Sequence, residues 1–363
     1  MKYDYLIVGS GLFGATFAYE VSKLGNKCLV IDKRKHLGGN IYTEKEEGIQ
    51  VHKYGPHIFH TDSEEIWKFV KNFASFNSYS HRPKACVNDK IFSLPINLMT
   101  LYQLWGVKTP EEAKMRLDVE KIKIENPNNL EEWALSQVGE DIYKTFYQGY
   151  TKKLWGKDPK DLPASIIKRL PIRLNFDDSY YFHKHQGIPI GGYTQIIEGM
   201  LAGIEVKLNF DFSEIKGSWH EQAKKLVFTG RIDEFFDYEF GELEYRTLEF
   251  QQKTIKGNFQ GVSQVNYPDE NIPYTRIIEH KHFEFGEQEN TIITCEYPRH
   301  CVKSDVPMYP VINDENNRRY EKYKAKSDAT PNFIGGGRLF YFKYLDMHQV
   351  IASAINAAKK EKN

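Results

Sequence analysis

Cysteine is scarce in this sequence, and long apolar runs are missing from it. The 363 residues include four cysteines, none of them in a Cys-x-x-Cys pair. This pattern argues against a disulfide scaffold or a zinc site and suits a reducing compartment. No apolar run reaches the ~18 residues of a spanning helix, and the first four residues, MKYD, do not begin a secretory signal. We therefore expect a cytoplasmic protein with no membrane segment and no metal.

An excess of either charge is also lacking. Lys and Arg total 49, Asp and Glu total 49, and the formal net charge is zero. Such a balance provides no general attraction to nucleic acid or to anionic lipid, so neither is expected as a partner. The sequence contains no phosphate-binding P-loop, no zinc-protease motif and no serine-hydrolase elbow. The 23 tyrosines and 23 phenylalanines predict large cores or aromatic walls around a planar ligand.

A glycine motif near the N-terminus has the context that gives it meaning. The apolar run YDYLIV leads directly into Gly9, Gly11 and Gly14, which form G-x-G-x-x-G. A helical segment and a second apolar run, CLVI, follow before Asp32. The order strand, glycine loop, helix, strand and acid predicts a Rossmann-like dinucleotide site, in which Asp32 accepts hydrogen bonds from a ribose. A tight turn in another α/β fold is the alternative.

Further glycines favour FAD over a nicotinamide dinucleotide. Gly38-Gly39-Asn40 follows Asp32 at the spacing of the second glycine element in FAD-binding oxidoreductases, which it resembles. The distal Gly335-Gly336-Gly337-Arg338 stands where such folds return to the flavin. No second G-x-G-x-x-G occurs in the chain. The single dinucleotide site is therefore predicted to hold FAD.

The rest of the chain shows three successive sequence patterns. Residues 61–155 carry helix-start patterns such as Thr109-Pro110-Glu111-Glu112 and predict a mostly helical insertion. Residues 155–178 contain three prolines and little periodicity, which is typical of a functional lid or a disordered loop. From 245 to 297, short strand-like runs recur with short connections and predict an antiparallel sheet.

Several motifs, in this order, resemble the bacterial UDP-galactopyranose mutases, and the similarity extends from about residue 3 to 352. They are YGPHIFHT from Tyr54, GYT from Gly149 with Trp155-Gly156, KRLP from Lys168, QGIP from Gln186, YTRIIEH from Tyr274 and KYLDM from Lys343. No other family known to us combines these motifs.

The resemblance implies an α/β fold in which a Rossmann-like FAD-binding domain carries an inserted helical domain and an antiparallel β-sheet domain. We expect the FAD domain to be discontinuous. The expected boundaries are 1–60, 183–232 and 326–363 for the FAD domain, 61–160 for the helical domain, 161–182 for a mobile lid and 233–325 for the sheet.

The implied activity is isomerisation of UDP-galactopyranose to UDP-galactofuranose and back. In the family, N5 of reduced FAD attacks the anomeric carbon and displaces UDP, and the sugar recloses as the five-membered ring. The resemblance also implies an external reductant such as NAD(P)H, a homodimer, and a role in making galactofuranose for cell-surface polysaccharide.

Site residues follow from the matching motifs. Arg169 and Arg276 match the arginines that stabilise the diphosphate, and His57 lies in the flavin-contacting turn. Residues that match the uridine and sugar cleft are Tyr150, Thr151, Trp155, Tyr180, Asn266, Tyr309 and Tyr344. Residues expected at the cofactor are Gly9, Gly11, Phe13, Gly14, Asp32, Lys33, Gly39, Asn40, His57, Ile58, Asp211, Phe212, Thr229, Gly337, Arg338, Asp346 and Met347.

Three alternatives stay open at this point. An FAD oxidase or desaturase of the same fold would need neither the paired arginines nor the aromatic uridine site. A non-enzymatic protein resembling the GDP-dissociation inhibitors would not need to hold flavin. Within the mutases, a close relative also accepts the N-acetylgalactosamine nucleotide, and the motifs do not separate the two sugars.

Overall fold

A computed structural model describes residues 1–167 and 172–362. The chain divides into two compact units. The first comprises Met1–Ser78, His183–Glu244 and Asp314–Asn363, and the second comprises Tyr79–Phe182 and Tyr245–Asn313. Each unit therefore contains segments that are distant in the sequence.

The described residues form strands and helices in alternation. The strands are β1 (Tyr3–Val8), β2 (Cys28–Ile31), β3 (Thr43–Glu46), β4 (Ile49–His52), β5 (Phe59–Thr61), β6 (Lys84–Val87), β7 (Lys90–Ser93), β8 (His185–Gly187), β9 (Glu205–Lys207), β10 (Ala223–Phe228), β11 (Tyr245–Lys256), β12 (Gln264–Asn266), β13 (Arg276–Glu279), β14 (Asn290–His300), β15 (Tyr309–Pro310) and β16 (Phe333–Gly335). The α-helices are α1 (Leu12–Ser22), α2 (Glu64–Lys71), α3 (Leu98–Trp105), α4 (Pro110–Glu120), α5 (Leu130–Ile142), α6 (Gly149–Trp155), α7 (Thr194–Leu201), α8 (Trp219–Gln222), α9 (Ile232–Phe235), α10 (Asp314–Asp328), α11 (Gly337–Phe340) and α12 (Met347–Lys360).

The first unit is built on a five-stranded sheet. Its order is β16-β10-β1-β2-β9, and every neighbouring pair is parallel. The central strands β1 and β2 are apolar and mostly buried, as strands covered on both faces must be. This sheet confirms the predicted Rossmann-like α/β fold. Two small antiparallel pairs, β3-β4 and β5-β8, complete the strands of the unit.

The second unit contains a seven-stranded sheet in the order β15-β11-β14-β13-β12-β6-β7. All its pairs are antiparallel except β12 with β6. The hairpin β6-β7 was missed within the segment predicted to be helical. Its two-residue turn, Asn88-Asp89, has φ of 47° and 60°, as a type I′ hairpin turn requires.

Helices α3 to α6 lie in the same unit as this sheet. Their apolar side chains form one cluster with the hairpin, for example Leu101, Leu130 and Ile142 with Phe92. From the sequence, the helical segment and the antiparallel strands were expected to form separate domains. The structure groups them together because β6 pairs with β12 and extends the sheet into the helical segment.

Within the described residues, we find no helix that is long and apolar enough to cross a membrane.

Candidate active site

The carboxyl ends of the parallel strands in the first unit bring together loops that are far apart in the sequence. Gly9 follows β1, Asp32 follows β2, Thr229 follows β10, and Gly336 follows β16. The Thr229 hydroxyl donates to the Val8 carbonyl at 2.7 Å, which ties two of these strand ends together. Ligands of open α/β sheets bind at this edge, so the predicted cofactor residues stand where the fold places a ligand.

The glycines of this edge leave no room for side chains at two positions. A Cβ at Gly14 would lie 2.0 Å from the Gly9 carbonyl oxygen, and a Cβ at Gly9 would lie 2.0 Å from the Thr229 hydroxyl. Gly11 differs, because its nearest neighbour would be the Gly39 Cα at 3.8 Å. A Cβ at Gly11 would therefore make only an ordinary contact, beside the start of α1, where backbone N–H groups and the helix dipole favour a phosphate. This cradle fits a dinucleotide such as FAD.

Asp32 is buried, and both of its carboxylate oxygens accept hydrogen bonds. The Ser10 amide and hydroxyl donate to Oδ2 at 2.8 and 2.7 Å, and the Arg34 amide donates to Oδ1 at 2.9 Å. The carboxylate therefore holds the glycine loop in shape. A carboxylate has about four acceptor positions, so capacity remains for the predicted ribose contact.

Arg34 is a further candidate that the sequence analysis passed over in favour of Lys33. Its guanidinium lies over the Tyr54 ring, with Cζ 4.5 Å from the centroid, and its Nη2 donates to Asn40 at 2.9 Å. The other terminal nitrogen, Nη1, is buried without a hydrogen-bond partner and lies 4.0 Å from the position of a Cβ on Gly39. An unsatisfied cationic donor beside the glycine cradle is what a bound diphosphate would satisfy.

The other predicted cofactor residues also belong to the first unit: Phe13, Lys33, Ile58, Asp211, Phe212, Gly337, Arg338, Asp346 and Met347. His57 is held by its surroundings, because its amide donates to His52 at 3.1 Å and its Nδ1 pairs with the Gly55 carbonyl at 2.9 Å. Asp346 caps the N-terminus of α12 in a capping box with Gln349. Their contact with a cofactor stays a prediction.

A histidine cluster that the sequence analysis did not predict lies beside Asp346. His60 Nδ1 pairs with His183 Nδ1 at 3.0 Å, and His60 Nε2 lies 3.9 Å from Asp346. Burial lowers the pKa of His60 to about 4 and also lowers the pKa of His348, so both rings are neutral at pH 7. His60, His348 and Asp346 offer ligand atoms within 4.8 Å of one another, a spacing from which they could hold a metal ion.

In the second unit, three predicted or candidate polar residues form one row across adjacent strands. Asn266 on β12 is paired with Arg276 on β13, and Arg276 is paired with Glu296 on β14. Directly opposed residues on neighbouring strands point to the same face of the sheet. The row therefore presents an amide, a guanidinium and a carboxylate side by side.

Arg276 and Glu296 form a buried ion pair in this row. Arg276 Nε donates to Glu296 Oε2 at 2.5 Å, and the two side chains are 18% and 1% exposed. Burial by itself lowers the pKa of Arg276, but the Glu296 carboxylate outweighs burial and raises that pKa well above its ordinary value. The guanidinium is thus permanently charged and fixed in orientation.

Two tyrosines predicted at the substrate, Tyr150 and Tyr309, lie close enough to Arg276 to influence its pKa. Burial raises the pKa of Tyr150, and the Arg276 charge acts against that rise. Tyr309, Glu296 and Tyr180 also lie close enough to influence the pKa of Tyr150. The structure therefore brings Tyr150 and Tyr309 close to the ion pair, and Tyr180 close to Tyr150.

The remaining predicted substrate residues have different surroundings. Thr151 is buried on α6, and Trp155 packs against the apolar cluster of the helical segment. Tyr344 belongs to the first unit and lies under Arg338, with Cζ 4.4 Å from the ring centroid. Arg169 lies outside the described residues.

Glu296 and Lys153 were missed by the sequence analysis. Glu296 stands in the apolar run NTIITCEYP, and a lone acid in such a run is a signal for a buried charge with a partner. Lys153 is one of two adjacent lysines in α6, and nothing in that pattern distinguishes it from a solvated residue.

A parallel sheet whose strand ends carry a G-x-G-x-x-G loop defines a dinucleotide-binding protein of the Rossmann type. In agreement, residues 7–73 match the family model of the NAD(P)-binding Rossmann-like domain. Residues 145–344, which include Arg276 and its neighbours, match the model of UDP-galactopyranose mutase. The chain belongs to the UDP-galactopyranose mutase family, whose members are flavin-dependent isomerases.

Individual relatives agree over nearly the whole length. A dTDP-fucopyranose mutase from Escherichia coli is 44% identical over 98% of this chain and 97% of its own. A probable UDP-galactopyranose mutase from Klebsiella pneumoniae is 40% identical over 98% of this chain and 94% of its own. Among solved structures, a reduced UDP-galactopyranose mutase matches with a TM-score of 0.79 at 14% identity, covering 100% of this chain and 94% of that one. A putrescine oxidase shares the fold at a TM-score of 0.60, 11% identity and coverage of 100% and 99%, so the fold alone does not select the reaction.

Proposed function

We propose that this protein interconverts the pyranose and furanose forms of a nucleoside-diphosphate hexose, with UDP-galactopyranose and UDP-galactofuranose as the substrate pair. The observation that carries the proposal is the buried ion pair of Arg276 and Glu296 among the tyrosines of the second unit. An oxidase of small amines, whose substrates are cations, would be disfavoured by a fixed guanidinium at its substrate.

Arg276 is suited to a diphosphate. Glu296 engages Nε, and the two terminal nitrogens of the guanidinium would be the ones to donate to a phosphate in a bidentate manner. Glu296 fixes the plane of the guanidinium before the ligand arrives, which reduces the entropy lost on binding. Arg169, matched to the second diphosphate arginine, would add charge as UDP separates from the sugar.

FAD fits the glycine cradle, the unsatisfied Nη1 of Arg34 and the strand-end geometry of the first unit. When bound in its reduced form, FAD would supply the nucleophile, N5, for the anomeric carbon of the sugar. The chain's own residues bind, orient and stabilise charge. The reaction moves no net electrons, so an external reductant such as NAD(P)H is needed only to bring the cofactor to the active state.

A second substrate pair is favoured by one specific observation. The Escherichia coli relative named dTDP-fucopyranose mutase is 44% identical to this chain, whereas the Klebsiella pneumoniae relative is 40% identical. Both nucleotides carry the diphosphate that Arg276 would bind. We therefore retain dTDP-fucopyranose as the alternative substrate, beside the N-acetylgalactosamine nucleotide.

The experiment is a product analysis on the purified holoprotein. UDP-galactofuranose and dTDP-fucopyranose are incubated separately with dithionite-reduced enzyme without oxygen, and the nucleotide sugars are separated by chromatography. We expect conversion of UDP-galactofuranose to UDP-galactopyranose. Faster conversion of the dTDP sugar would assign the alternative, and no conversion of any nucleotide sugar by fully reduced enzyme would refute the proposal.

A homodimer in the cytoplasm completes the proposal. Light scattering of the holoprotein at several concentrations tests the dimer, which should show twice the mass of a 42.4 kDa chain. Fractionation of cells that express the protein tests the location.

A further inference from the structure

The ammonium group of Lys153 lies among four backbone carbonyl oxygens. Its Nζ is 2.5 Å from the carbonyl of Tyr267, 2.8 Å from that of Asp269, and 3.0 Å from those of Ile272 and Tyr274. An ammonium group has three protons, so it is fully occupied by these acceptors. All four carbonyls belong to a single loop, residues 267–275, which connects β12 to β13.

The two ends of this loop are the residues proposed to bind the nucleotide sugar. Asn266 immediately precedes the loop, and Arg276 immediately follows it. Lys153 itself stands on α6, between Thr151 and Trp155. One side chain therefore joins the helix that carries the aromatic residues to the loop that carries the diphosphate arginine.

A second contact brings the same helix and loop into close approach. A Cβ at Gly149, the first residue of α6, would lie 2.3 Å from the Pro268 carbonyl oxygen. The backbone of α6 can approach the loop this closely only because residue 149 is glycine. At the other end of α6, Arg246 donates to the carbonyls of Leu154 and Lys153 at 2.9 and 3.2 Å. The helix is thus held along its whole length.

We propose that Lys153 is a positioning residue of the substrate site, which sets the distance between the aromatic residues of α6 and the Asn266–Arg276 pair. This inference rests on the proposed function. The four carbonyls point inward to the ammonium, so removal of the charge would leave four dipoles facing one another. The loop would then relax, and the position of α6 relative to Arg276, which the sheet and Glu296 hold, would no longer be fixed.

The charge on Lys153 should change with pH between about 7 and 9, a range in which binding can be measured. Burial lowers its pKa to about 8, while the carboxylates of Asp269 and Glu270 raise it. Other ionisable groups of these elements are Tyr150, Tyr267 and Tyr274, whose pKa values are raised by burial. Lys152 on α6 pairs with Glu270 of the loop at 3.2 Å, and the Arg246 guanidinium lies at the end of the helix. The contacts of Lys153 with the four carbonyls should therefore weaken as pH rises through about 8.

The test compares Lys153→Met and Lys153→Arg with the wild-type holoprotein, using UDP as the probe. Lys144→Met is the matched control, because Lys144 is exposed and pairs only with Glu140 one turn away among the described residues. The Kd of UDP is measured by calorimetry between pH 7 and 9, along with flavin content and melting temperature. Hydrogen exchange of residues 267–275 is measured without ligand.

We expect Lys153→Met to weaken UDP binding at least tenfold and to speed exchange in the loop, with flavin content unchanged. Wild-type Kd should rise above pH 8, whereas Lys153→Arg, which stays charged, should show a flatter profile. Both proteins share the ionisation of UDP, so their difference reports residue 153. Lys144→Met should match wild type.

The outcomes separate the two proposals. If wild-type protein binds UDP and Lys153→Met binds it equally well, the positioning role is wrong and the proposed function stands. Equal pH profiles for wild type and Lys153→Arg would overturn the positioning role even if Lys153→Met fails to fold. If wild type binds neither UDP nor dTDP, the proposed function fails. Faster loop exchange in Lys153→Met would still show that Lys153 holds residues 267–275 in place.

Discussion

Arg276 and Glu296 stand opposite each other on β13 and β14, joined by a hydrogen bond of 2.5 Å between Nε and Oε2. The carboxylate is almost completely buried, and the guanidinium keeps a small exposed face. A paired charge in such a place is costly to disrupt, because the remaining partner would be buried without compensation. This pair connects the register of the sheet to the chemistry proposed for the site.

Replacing Arg276 should remove diphosphate binding without removing the flavin. For Arg276→Ala we expect a loss of about 2–5 kcal/mol in transition-state stabilisation, equivalent to a fall in kcat/KM of roughly 30-fold to several thousandfold. Arg169→Ala should behave in the same way. Steady-state kinetics and the flavin absorbance of each variant are the measurements. Arg299→Ala is the control, since Arg299 pairs with Asp305 at the surface, and near-normal kcat/KM in Arg276→Ala would contradict the assignment.

Neutralising Glu296 should destabilise the second unit. Glu296→Gln keeps the size of the side chain but leaves the Arg276 charge without its partner, at a cost of as much as about 3 kcal/mol. Thermal unfolding of the holoprotein should show a lower midpoint than wild type. Glu249→Gln, a change at an exposed position of β11, should leave the midpoint in place. Equal midpoints for the two variants would show that the pair adds nothing to stability.

The two halves of the candidate site differ in how far the sequence predicts them. The dinucleotide loop is local, since strand, glycines, helix and acid follow one another within about thirty residues, and the structure confirms its fold. The pairing of Arg276 with Glu296, twenty residues apart in the sequence, depends on the register of β13 and β14, which periodicity cannot fix. The matching of motifs gave Arg276 but not its partner.

Similar reasons explain the other misses. The two strands of the hairpin β6-β7 have four residues each, too few to show a clear alternation, and the single signal for the hairpin was the Asn88-Asp89 turn. Lys153 is defined by four backbone carbonyls, which carry no side-chain signature at all. Backbone acceptors become visible only when the loop that presents them is folded.

The glycine cradle makes a prediction that separates cofactor binding from folding. Gly11→Ala should fold normally but bind FAD at least tenfold more weakly, because its Cβ would make only an ordinary contact with Gly39 in the protein but would meet the bound phosphates in the holoprotein. Gly14→Ala should fold poorly, since its Cβ would collide with the Gly9 carbonyl. Gly217→Ala, where nothing lies within 4 Å, is the control. Flavin content and melting temperature distinguish the three variants. Normal flavin affinity in Gly11→Ala would show that the cofactor does not bind at this glycine loop.

Acid should weaken the second unit through Glu279. Burial opposes the charge of this carboxylate, but His282 Nε2, 3.1 Å away, and hydrogen bonds from the amides of Gln260 and Phe259 prevail and lower its pKa to about 2. The unfolded chain takes up the proton near pH 4.5, so stability from this group is present above that pH and is lost as pH falls toward 2. The full contribution is about 3 kcal/mol.

Comparison of wild type with Glu279→Gln isolates the contribution of the Glu279 carboxylate to the free energy of unfolding. The variant should be less stable than wild type at pH 6, and the difference should shrink steadily between pH 4.5 and 3. Urea midpoints at each pH provide the measurement. A difference that stays constant over this range would mean that the Glu279 pKa is unchanged by folding.

The central claim, isomerisation by a flavin that is reduced but not consumed, is tested most directly by counting product per reducing equivalent. Holoprotein is reduced without oxygen by a known amount of dithionite, UDP-galactofuranose is added in large excess, and UDP-galactopyranose is quantified by chromatography. We predict little activity in the oxidised protein and many product molecules per reducing equivalent after reduction. One product per reducing equivalent would make this protein a flavin oxidoreductase and would contradict the account.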